Sequence, residues 1–274
     1  MNLSDRLAVC SWSLQPDSPN ALADALRAIG IARTQLALDP LRAGGAWADG
    51  VTKLADRGVS VPSGMFASVG EDYTTLDTIR KTGGVVPDAT WPHTFENFTQ
   101  MARIAEQAGI AHVMFHAGFL PHDKTDPNYA KLAGRLRQVG HLLADHGLTC
   151  GLETGQEEAT ALRGFLEELD QPNVRVNFDP ANLILYDKGD PIAGLKTLRP
   201  YVVSCHIKDA KKTKTPGTWG DEVVVGTGEV DWPAFFTLLG PDFAGTLSLE
   251  REAGSQRVAD LQAAHALVSR IIGH

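Results

Sequence analysis

Four short apolar segments of this chain each end in a residue that can bind a metal ion, and this repeated feature constrains the fold most strongly. The segments are residues 148–153, 174–179, 201–206 and 246–250. Each is a short apolar run bounded by turn signals, which is typical of a buried parallel strand. The first three end residues are 26 and 27 positions apart, enough for one strand, one helix and two short loops. The pattern therefore predicts successive βα units that end in Glu153, Asp179, His206 and Glu250.

The same alternation of strand and helix patterns runs through all 274 residues. Four further strands are predicted at residues 7–12, 34–38, 59–67 and 112–116, and helices at 21–29, 46–57, 94–108, 128–146, 157–169, 191–198, 232–239 and 255–272. Parallel strands need helical crossovers, and both faces of their sheet must be covered. The sequence therefore predicts an α/β fold, a (β/α)₈ TIM barrel that forms one domain over residues 1–274. A doubly wound open sheet is the alternative, but no glycine-rich dinucleotide turn follows the first strand.

Composition excludes several classes of protein. Hydrophobic residues make up 43% and charged residues 21%, as in ordinary globular proteins, and nothing resembles a signal peptide or a membrane span. The formal net charge of −8 argues against a nucleic-acid partner, because phosphate backbones are bound by surplus Lys and Arg. Cys10, Cys150 and Cys205 lie far apart in apolar runs and are interpreted as buried free thiols. We expect a cytoplasmic protein, and a homo-oligomer is compatible with the sequence.

In a closed barrel the four strand-end side chains converge at the C-terminal mouth. Each has an ordinary explanation alone: Glu153 as half of a salt bridge, Asp179 as a helix N-cap and His206 as a core histidine. Together, however, the acids would repel one another without a cation. Three carboxylates and one imidazole predict one divalent metal ion, Mn²⁺, Mg²⁺ or Co²⁺, and Zn²⁺ is also compatible with these ligands.

The motifs around these residues resemble those of a known family. GLETG (151–155), NFDPAN (177–182), HIKD (206–209), GTGEVDW (226–232) and SLERE (248–252) are similar to the sugar isomerase/epimerase superfamily. This group of xylose-isomerase-like barrels includes ketose 3-epimerases, hydroxypyruvate isomerase, inosose dehydratase and endonuclease IV. In the first half of the chain the resemblance rests on strand rhythm alone. The set of motifs is specific for the superfamily and not for a substrate.

The resemblance implies roles for the four residues. In the ketose 3-epimerases, the glutamates that match Glu153 and Glu250 are both metal ligands and the acid/base pair, whereas the positions of Asp179 and His206 are ligands only. The metal polarises a ketone and its neighbouring hydroxyl and stabilises the enediolate. One carboxylate removes the α-hydrogen, and a second returns a proton to the same carbon or the adjacent one, which gives epimerisation or isomerisation respectively.

Departures from the relatives bear on the substrate. Asn182 stands where endonuclease IV and the ketose 3-epimerases have a histidine, and Lys212 stands where those epimerases have an arginine. A trinuclear repair site is therefore disfavoured, and a substrate different from theirs is indicated.

Four side chains are expected to bind substrate: His116 and Trp12 at strand ends, Asn182, and Lys208, which follows His206 by two positions. For Lys208 the alternative is a salt bridge to a carboxylate of the rim. Two long strand-to-helix connections, residues 70–92 and 210–231, emerge at the mouth, and we expect at least one to be a lid or substrate wall.

The sequence thus predicts a metal-dependent isomerase or epimerase acting on a keto sugar or related polyol, a small-molecule carbohydrate. One alternative keeps the same site but eliminates a leaving group, as a lyase or dehydratase of inosose or keto-glycoside type. Another alternative is a sugar-binding barrel without catalysis.

Overall fold

The computed structural model describes residues 3–273, and its centre is a closed barrel of eight parallel strands. The described residues form ten strands in all: β1 (Leu7–Cys10), β2 (Arg33–Ala37), β3 (Ser60–Met65), β4 (His112–Phe115), β5 (Thr149–Glu153), β6 (Val174–Phe178), β7 (Val202–Ile207), β8 (Asp209–Lys211), β9 (Asp221–Val223) and β10 (Thr246–Leu249). Strands β8 and β9 form an antiparallel hairpin, and the others close in the order β1-β10-β7-β6-β5-β4-β3-β2. The predicted (β/α)₈ barrel is confirmed, and the open-sheet alternative is wrong.

Helices lie between the strands and cover the outside of the barrel. They are α1 (Ser11–Leu14), α2 (Pro19–Ile29), α3 (Asp39–Ala43), α4 (Gly50–Asp56), α5 (Leu76–Thr82), α6 (Trp91–Gln107), α7 (Pro127–Asp145), α8 (Ala159–Leu169), α9 (Pro180–Leu185), α10 (Pro191–Leu198), α11 (Trp232–Leu239) and α12 (Arg257–Ile272). Every residue of β1 and β10 is buried, because one face of each strand fills the barrel and the other packs on helices.

Several helices begin with the same local signal, a capping side chain followed by proline. The side-chain oxygens of Ser18, Asp126, Asp179 and Asp190 each accept a backbone N–H of the first helical turn, and a proline comes next in the chain. Proline at the first helical position loses no hydrogen bond, since its nitrogen would be unpaired there in any case. These pairs fix where the chain turns from a strand end into a helix.

The barrel interior below the mouth is partly polar. His112 donates from Nε2 to Oγ of Ser204 at 2.9 Å, and Ser204 Oγ donates to Oδ1 of Asn177 at 2.5 Å. Burial lowers the pKa of His112 to about 4, so this ring is neutral. The hydrogen-bonded chain crosses β4, β7 and β6 and supports the strands that carry the candidate site.

Some predicted boundaries are wrong at the mouth. The first strand ends at Cys10, because Ser11–Leu14 forms a helical turn that closes at Gln15 with a positive φ of 47°. Helix α6 begins at Trp91 and not at 94, with Thr90 at the cap position. Thr94 is fully buried inside the helix, where its Oγ1 accepts the N–H of Val69. The predicted helix 46–57 begins only at Gly50.

Neither long connection is irregular throughout. Residues 70–92 contain α5, whose start is fixed by reciprocal hydrogen bonds between Thr75 and Thr78, a capping box. Residues 210–231 carry most of the β8–β9 hairpin. No described helix is long and apolar enough to cross a membrane.

Candidate metal centre and active-site chamber

The structure brings the four strand-end side chains together. Glu153 ends β5, Asp179 follows β6, His206 lies in β7 and Glu250 follows β10, and these strands are consecutive neighbours in the barrel. One potential ligand atom from each lies within 4.8 Å of the others. None of the four residues is more than 7% exposed.

Glu153 is held by three partners. Its Oε1 lies 2.8 Å from Nδ1 of His206 and accepts a hydrogen bond from Asn182 Nδ2 at 3.2 Å, and its Oε2 lies 2.9 Å from Nε2 of His116. Burial alone would raise the pKa of Glu153, but His116 and His206 outweigh burial and hold it well below its usual range. Burial opposes the charge on His116 as well, yet Glu153 raises the pKa of that ring to about 9. The pair is therefore ionised at neutral pH.

Asp179 divides its two oxygens between two tasks. Oδ1 accepts the backbone N–H groups of Ala181 and Asn182 and so caps α9, as expected from the following proline. Oδ2 faces the other three candidate ligands, 3.8 Å from His206 Nδ1. Burial raises the pKa of Asp179, while the adjacent Lys208 opposes that rise. The carboxylate of Asp179 can therefore cap α9 through Oδ1 and still offer Oδ2 to a metal.

His206 is oriented by a glutamine that the sequence analysis did not single out. Its Nε2 donates to Oε1 of Gln35 at 2.8 Å, and its Nδ1 lies 2.8 Å from Glu153 Oε1 and 3.0 Å from Glu250 Oε2. Since Gln35 takes the Nε2 proton, Nδ1 is the nitrogen that can present a lone pair to a metal. The signal for Gln35 was present: a glutamine stands in an otherwise buried strand, where a polar side chain needs a partner.

Glu250 lies among the indole of Trp12, the imidazole of His206 and the ammonium group of Lys208. Trp12 Nε1 donates to its Oε1 at 2.6 Å, and the Nζ of Lys208 lies 2.8 Å from its Oε2. Burial would raise the pKa of Glu250, but His206 and Lys208 together lower it to about 2. Glu250 is therefore a carboxylate throughout the physiological range of pH.

The four residues fit one divalent cation. Asp179 Oδ2 and Glu250 Oε2 are buried and accept no well-oriented hydrogen bond, so both keep electron pairs free for a metal. Three carboxylates and one imidazole form a mostly oxygen site. Lys208, with Nζ 2.9 Å from Asp179 Oδ2 and 2.8 Å from Glu250 Oε2, supplies positive charge to the same two oxygens. Lys208 thus forms the salt bridges that the alternative interpretation expected, and its binding of substrate stays a prediction.

A cavity of about 720 Å³, here called the chamber, opens above this cluster. All four predicted substrate-binding residues line it: Trp12, His116, Asn182 and Lys208. Trp12 reaches it from α1, beyond the strand end at which it was predicted. Both long connections contribute walls, through Glu71 and Tyr73 from the first and residues 219–222 from the second. The chamber thus has a charged floor and walls made by loops.

Comparison with known proteins agrees with this architecture. The family model described as "Xylose isomerase-like TIM barrel" matches residues 21–270. The chain therefore belongs to the xylose isomerase-like TIM barrel family. Among curated proteins, the uncharacterized protein YihM of Escherichia coli K12 is 31% identical over 124 residues, which is 40% of this chain. The match spans only 38% of the length of YihM.

Solved structures share the barrel over nearly the whole chain. A xylose isomerase domain protein from Planctomyces limnophilus is 29% identical, with a TM-score of 0.86 and coverage of 97% of this chain and 96% of that one. The probable 3-DHS dehydratase AsbF from Bacillus anthracis has 17% identity and a TM-score of 0.73, covering 96% and 98%. An L-ribulose 3-epimerase has 17% identity and a TM-score of 0.73, covering 98% and 94%. Proteins of this fold thus include a sugar epimerase and a probable dehydratase.

Proposed function

We propose that this protein is a divalent-metal-dependent sugar isomerase or epimerase that acts on a keto sugar or related polyol. The observation that carries the proposal is the pair Glu153 and Glu250. Both carboxylates are buried, both have a lowered pKa, and both line one chamber from strands that are separated by two others, β6 and β7. Removal of a hydrogen from the carbon beside a ketone needs an ionised base at a fixed position, and this pair supplies two candidates.

Glu153, Asp179, His206 and Glu250 would hold the metal ion. When bound, such an ion polarises a carbonyl and an adjacent hydroxyl and so makes the α-hydrogen more acidic. Gln35 keeps the Nδ1 side of His206 directed at the three carboxylates. The α9 cap holds Asp179 in place, and all four side chains arise at strand ends and not from mobile loops.

Each catalytic carboxylate has a neighbour that sets its charge and position. His116, with Nε2 2.9 Å from Glu153 Oε2, keeps Glu153 ionised and is close enough to donate a hydrogen bond to a substrate oxygen. Lys208 lies 2.8 Å from Glu250 Oε2 and keeps that carboxylate ionised and in place. Trp12 fixes the other oxygen of Glu250. One carboxylate accepts the α-hydrogen and returns it to the adjacent carbon in an isomerisation. In an epimerisation, the proton that reaches the opposite face is taken from water by way of the other carboxylate.

The second candidate function is that of a lyase or dehydratase. The size of the chamber supports this candidate. Both reactions begin with removal of the same α-hydrogen, after which elimination requires space for a departing group on the β carbon. A cavity of about 720 Å³ provides that space beside a single sugar.

Incubation of the metal-loaded protein in D₂O with ketoses, inososes and 3-keto-glycosides tests the proposal. Deuterium at the α carbon of an isomeric product supports the isomerase or epimerase, and loss of water or aglycone supports the lyase. Absence of exchange with every compound would favour a sugar-binding barrel without catalysis.

A further inference from the structure

The chamber has two chemically different zones. Its floor carries the charged groups described above, whereas its upper wall is apolar and aromatic. Tyr73, Tyr186 and Trp219 line that wall, and Phe66, Met114 and Leu185 add further apolar lining to the chamber. A ketose presents hydroxyl groups on most of its surface, so the floor satisfies it and an extended apolar wall does not.

The aromatic wall adjoins the floor directly. The ring of Tyr73 meets the ring of His116 edge-on, with centroids 5.7 Å apart, and His116 pairs with Glu153. Tyr186 follows Asn182 by one helical turn, and its ring meets Trp219 at 4.7 Å in a T-shaped arrangement. A group attached to a sugar bound on the floor would therefore lie against these three rings.

The wall is positioned by the backbone and not only by side-chain packing. Gly220 donates its N–H to the carbonyl of Leu185 at 3.1 Å, which ties the loop before β9 to the end of α9. Tyr186 is 8% exposed, whereas Tyr73 is 42% exposed at the rim. The rings of Tyr186 and Trp219 are thus fixed in position, whereas the ring of Tyr73 is accessible to a ligand.

The charge of the chamber opposes an anionic substrate. Among its lining residues are six carboxylates, at positions 71, 153, 221, 222, 250 and 252, against two basic groups, His116 and Lys208. Lys208 is already paired with Asp179 and Glu250. The backbone N–H groups at the start of α9 are taken by Asp179, so that helix offers no phosphate cradle. Glu222 is paired with Arg251 at 3.0 Å, which leaves five carboxylates facing the two basic groups.

From these zones we infer that the natural substrate is an uncharged keto-glycoside: a keto sugar joined through a glycosidic bond to a second ring that stacks on Tyr73, Tyr186 and Trp219. The inference rests on the proposed function for the reacting sugar and adds the group that occupies the upper wall. The cavity volume of about 720 Å³ is in the range that encloses a drug-sized ligand, which a single sugar ring does not fill.

Equilibrium binding tests the inference without turnover. Calorimetric titration of Mn²⁺-loaded protein would compare methyl and phenyl glucosides of both anomers, cellobiose, and glucose against glucose 6-phosphate. We expect one phenyl glucoside to bind about tenfold tighter than its methyl counterpart, the scale of aromatic stacking plus burial, and the phosphate to bind more weakly than glucose. Cellobiose against the phenyl glucoside shows whether the second ring is a sugar or an aryl group.

Variants assign the effect to the wall. Trp219→Ala and, separately, Tyr73→Ala should each reduce the phenyl preference severalfold, whereas Trp91→Ala, which alters a tryptophan that packs on Phe95 outside the chamber, should retain it. Tyr73 is exposed, so its variant remains informative if Trp219→Ala does not fold.

Equal binding of phenyl, cellobiose and methyl compounds, or tighter binding of the phosphate, would overturn the inference. Deuterium exchange into a free ketose without any second-ring preference would leave the proposed function standing. A second-ring preference without exchange into any keto compound would support the inference about the second ring and contradict the proposed function.

Discussion

Gln35 Oε1 accepts the Nε2 hydrogen of His206 at 2.8 Å, across the barrel interior from β7 to β2. The two residues are 171 positions apart in the chain, and both are fully buried. This hydrogen bond directs Nδ1 of His206 towards Glu153 and Glu250 and determines which nitrogen is available as a ligand.

Gln35→Leu should weaken metal binding by about 10- to 100-fold, because the imidazole loses the acceptor that fixes its tautomer and its orientation. Titration of the metal-free protein with Mn²⁺ measures the effect. Gln262→Leu is the matched control, since Gln262 donates to the carbonyl of Ala28 on the protein surface. Wild-type affinity in Gln35→Leu would show that His206 is oriented without its help.

Metal content should depend on the four candidate ligands and should survive the loss of Asn182. We expect about one divalent ion per chain by mass spectrometry of the purified protein, and a large loss of both metal and activity in Asp179→Asn or His206→Ala. Asn182→Ala should keep the metal and raise KM. Full metal content in His206→Ala, or two or more tightly bound ions in the wild type, would contradict the single-metal assignment.

Exchange of the substrate α-hydrogen with D₂O should distinguish the roles of Glu153 and Glu250. Glu153→Gln and Glu250→Gln each keep a possible oxygen ligand but remove the base, so each should lose roughly 10² to 10⁴ in kcat. We expect one of them still to exchange the α-hydrogen with D₂O while failing to form product, which identifies the face that each residue serves. Near-normal turnover by metal-loaded Glu250→Gln would make Glu250 only a ligand.

Lys208 should compete with the metal for Asp179 and Glu250. Replacing it with Met removes a positive charge about 3 Å from two ligand oxygens, so Lys208→Met should bind Mn²⁺ about tenfold tighter or more, while activity falls. Lys208→Arg keeps the charge and is the control for affinity. Weaker Mn²⁺ binding by Lys208→Met would mean that the lysine organises the site and does not compete.

Glu157 should destabilise the fold at alkaline pH. Glu157 lines a small, mostly apolar pocket with Leu120, Leu162 and Phe165, and burial raises its pKa from 4.5 to about 8. Because the folded state holds the proton more tightly, its stabilisation is complete below pH 4.5 and is lost as pH rises through 8. Glu157→Gln should therefore match the wild type near pH 5 and be more stable at pH 9, on the order of a few kcal/mol by urea unfolding.

The control for that measurement is the adjacent Glu158→Gln, since Glu158 is exposed and its side chain caps nothing. An equal gain at pH 5 and pH 9 for Glu157→Gln would show that charge is not the cause.

The barrel and the meeting of the four candidate ligands could be predicted because both depend on short-range patterns. Apolar runs that end in Glu153, Asp179, His206 and Glu250 mark strand ends, and barrel closure alone brings strand ends together. The family motifs lie at the same positions. The sequence therefore contained the information for the floor of the chamber.

The rest depends on contacts between distant segments. Nothing near Gln35 indicates that it meets His206, and nothing near Tyr73 indicates that it meets His116. Thr94 has the composition of an N-cap, yet tertiary packing starts α6 three residues earlier and uses the hydroxyl for Val69. Long loops were expected at the mouth, but only the folded chain shows which of their side chains form a wall.

Asp179 also determines how far this centre could be re-engineered. A designer who wished to convert the site to a softer metal would exchange a carboxylate for histidine or cysteine. At Asp179 that exchange would remove the acceptor of two α9 N–H groups, at a cost of about 1 kcal/mol, and would loosen the helix that carries Asn182. Glu153 and Glu250 are the proposed bases, so neither can be exchanged without loss of the chemistry. The metal preference would therefore be changed most easily by substitutions at His206 and Gln35.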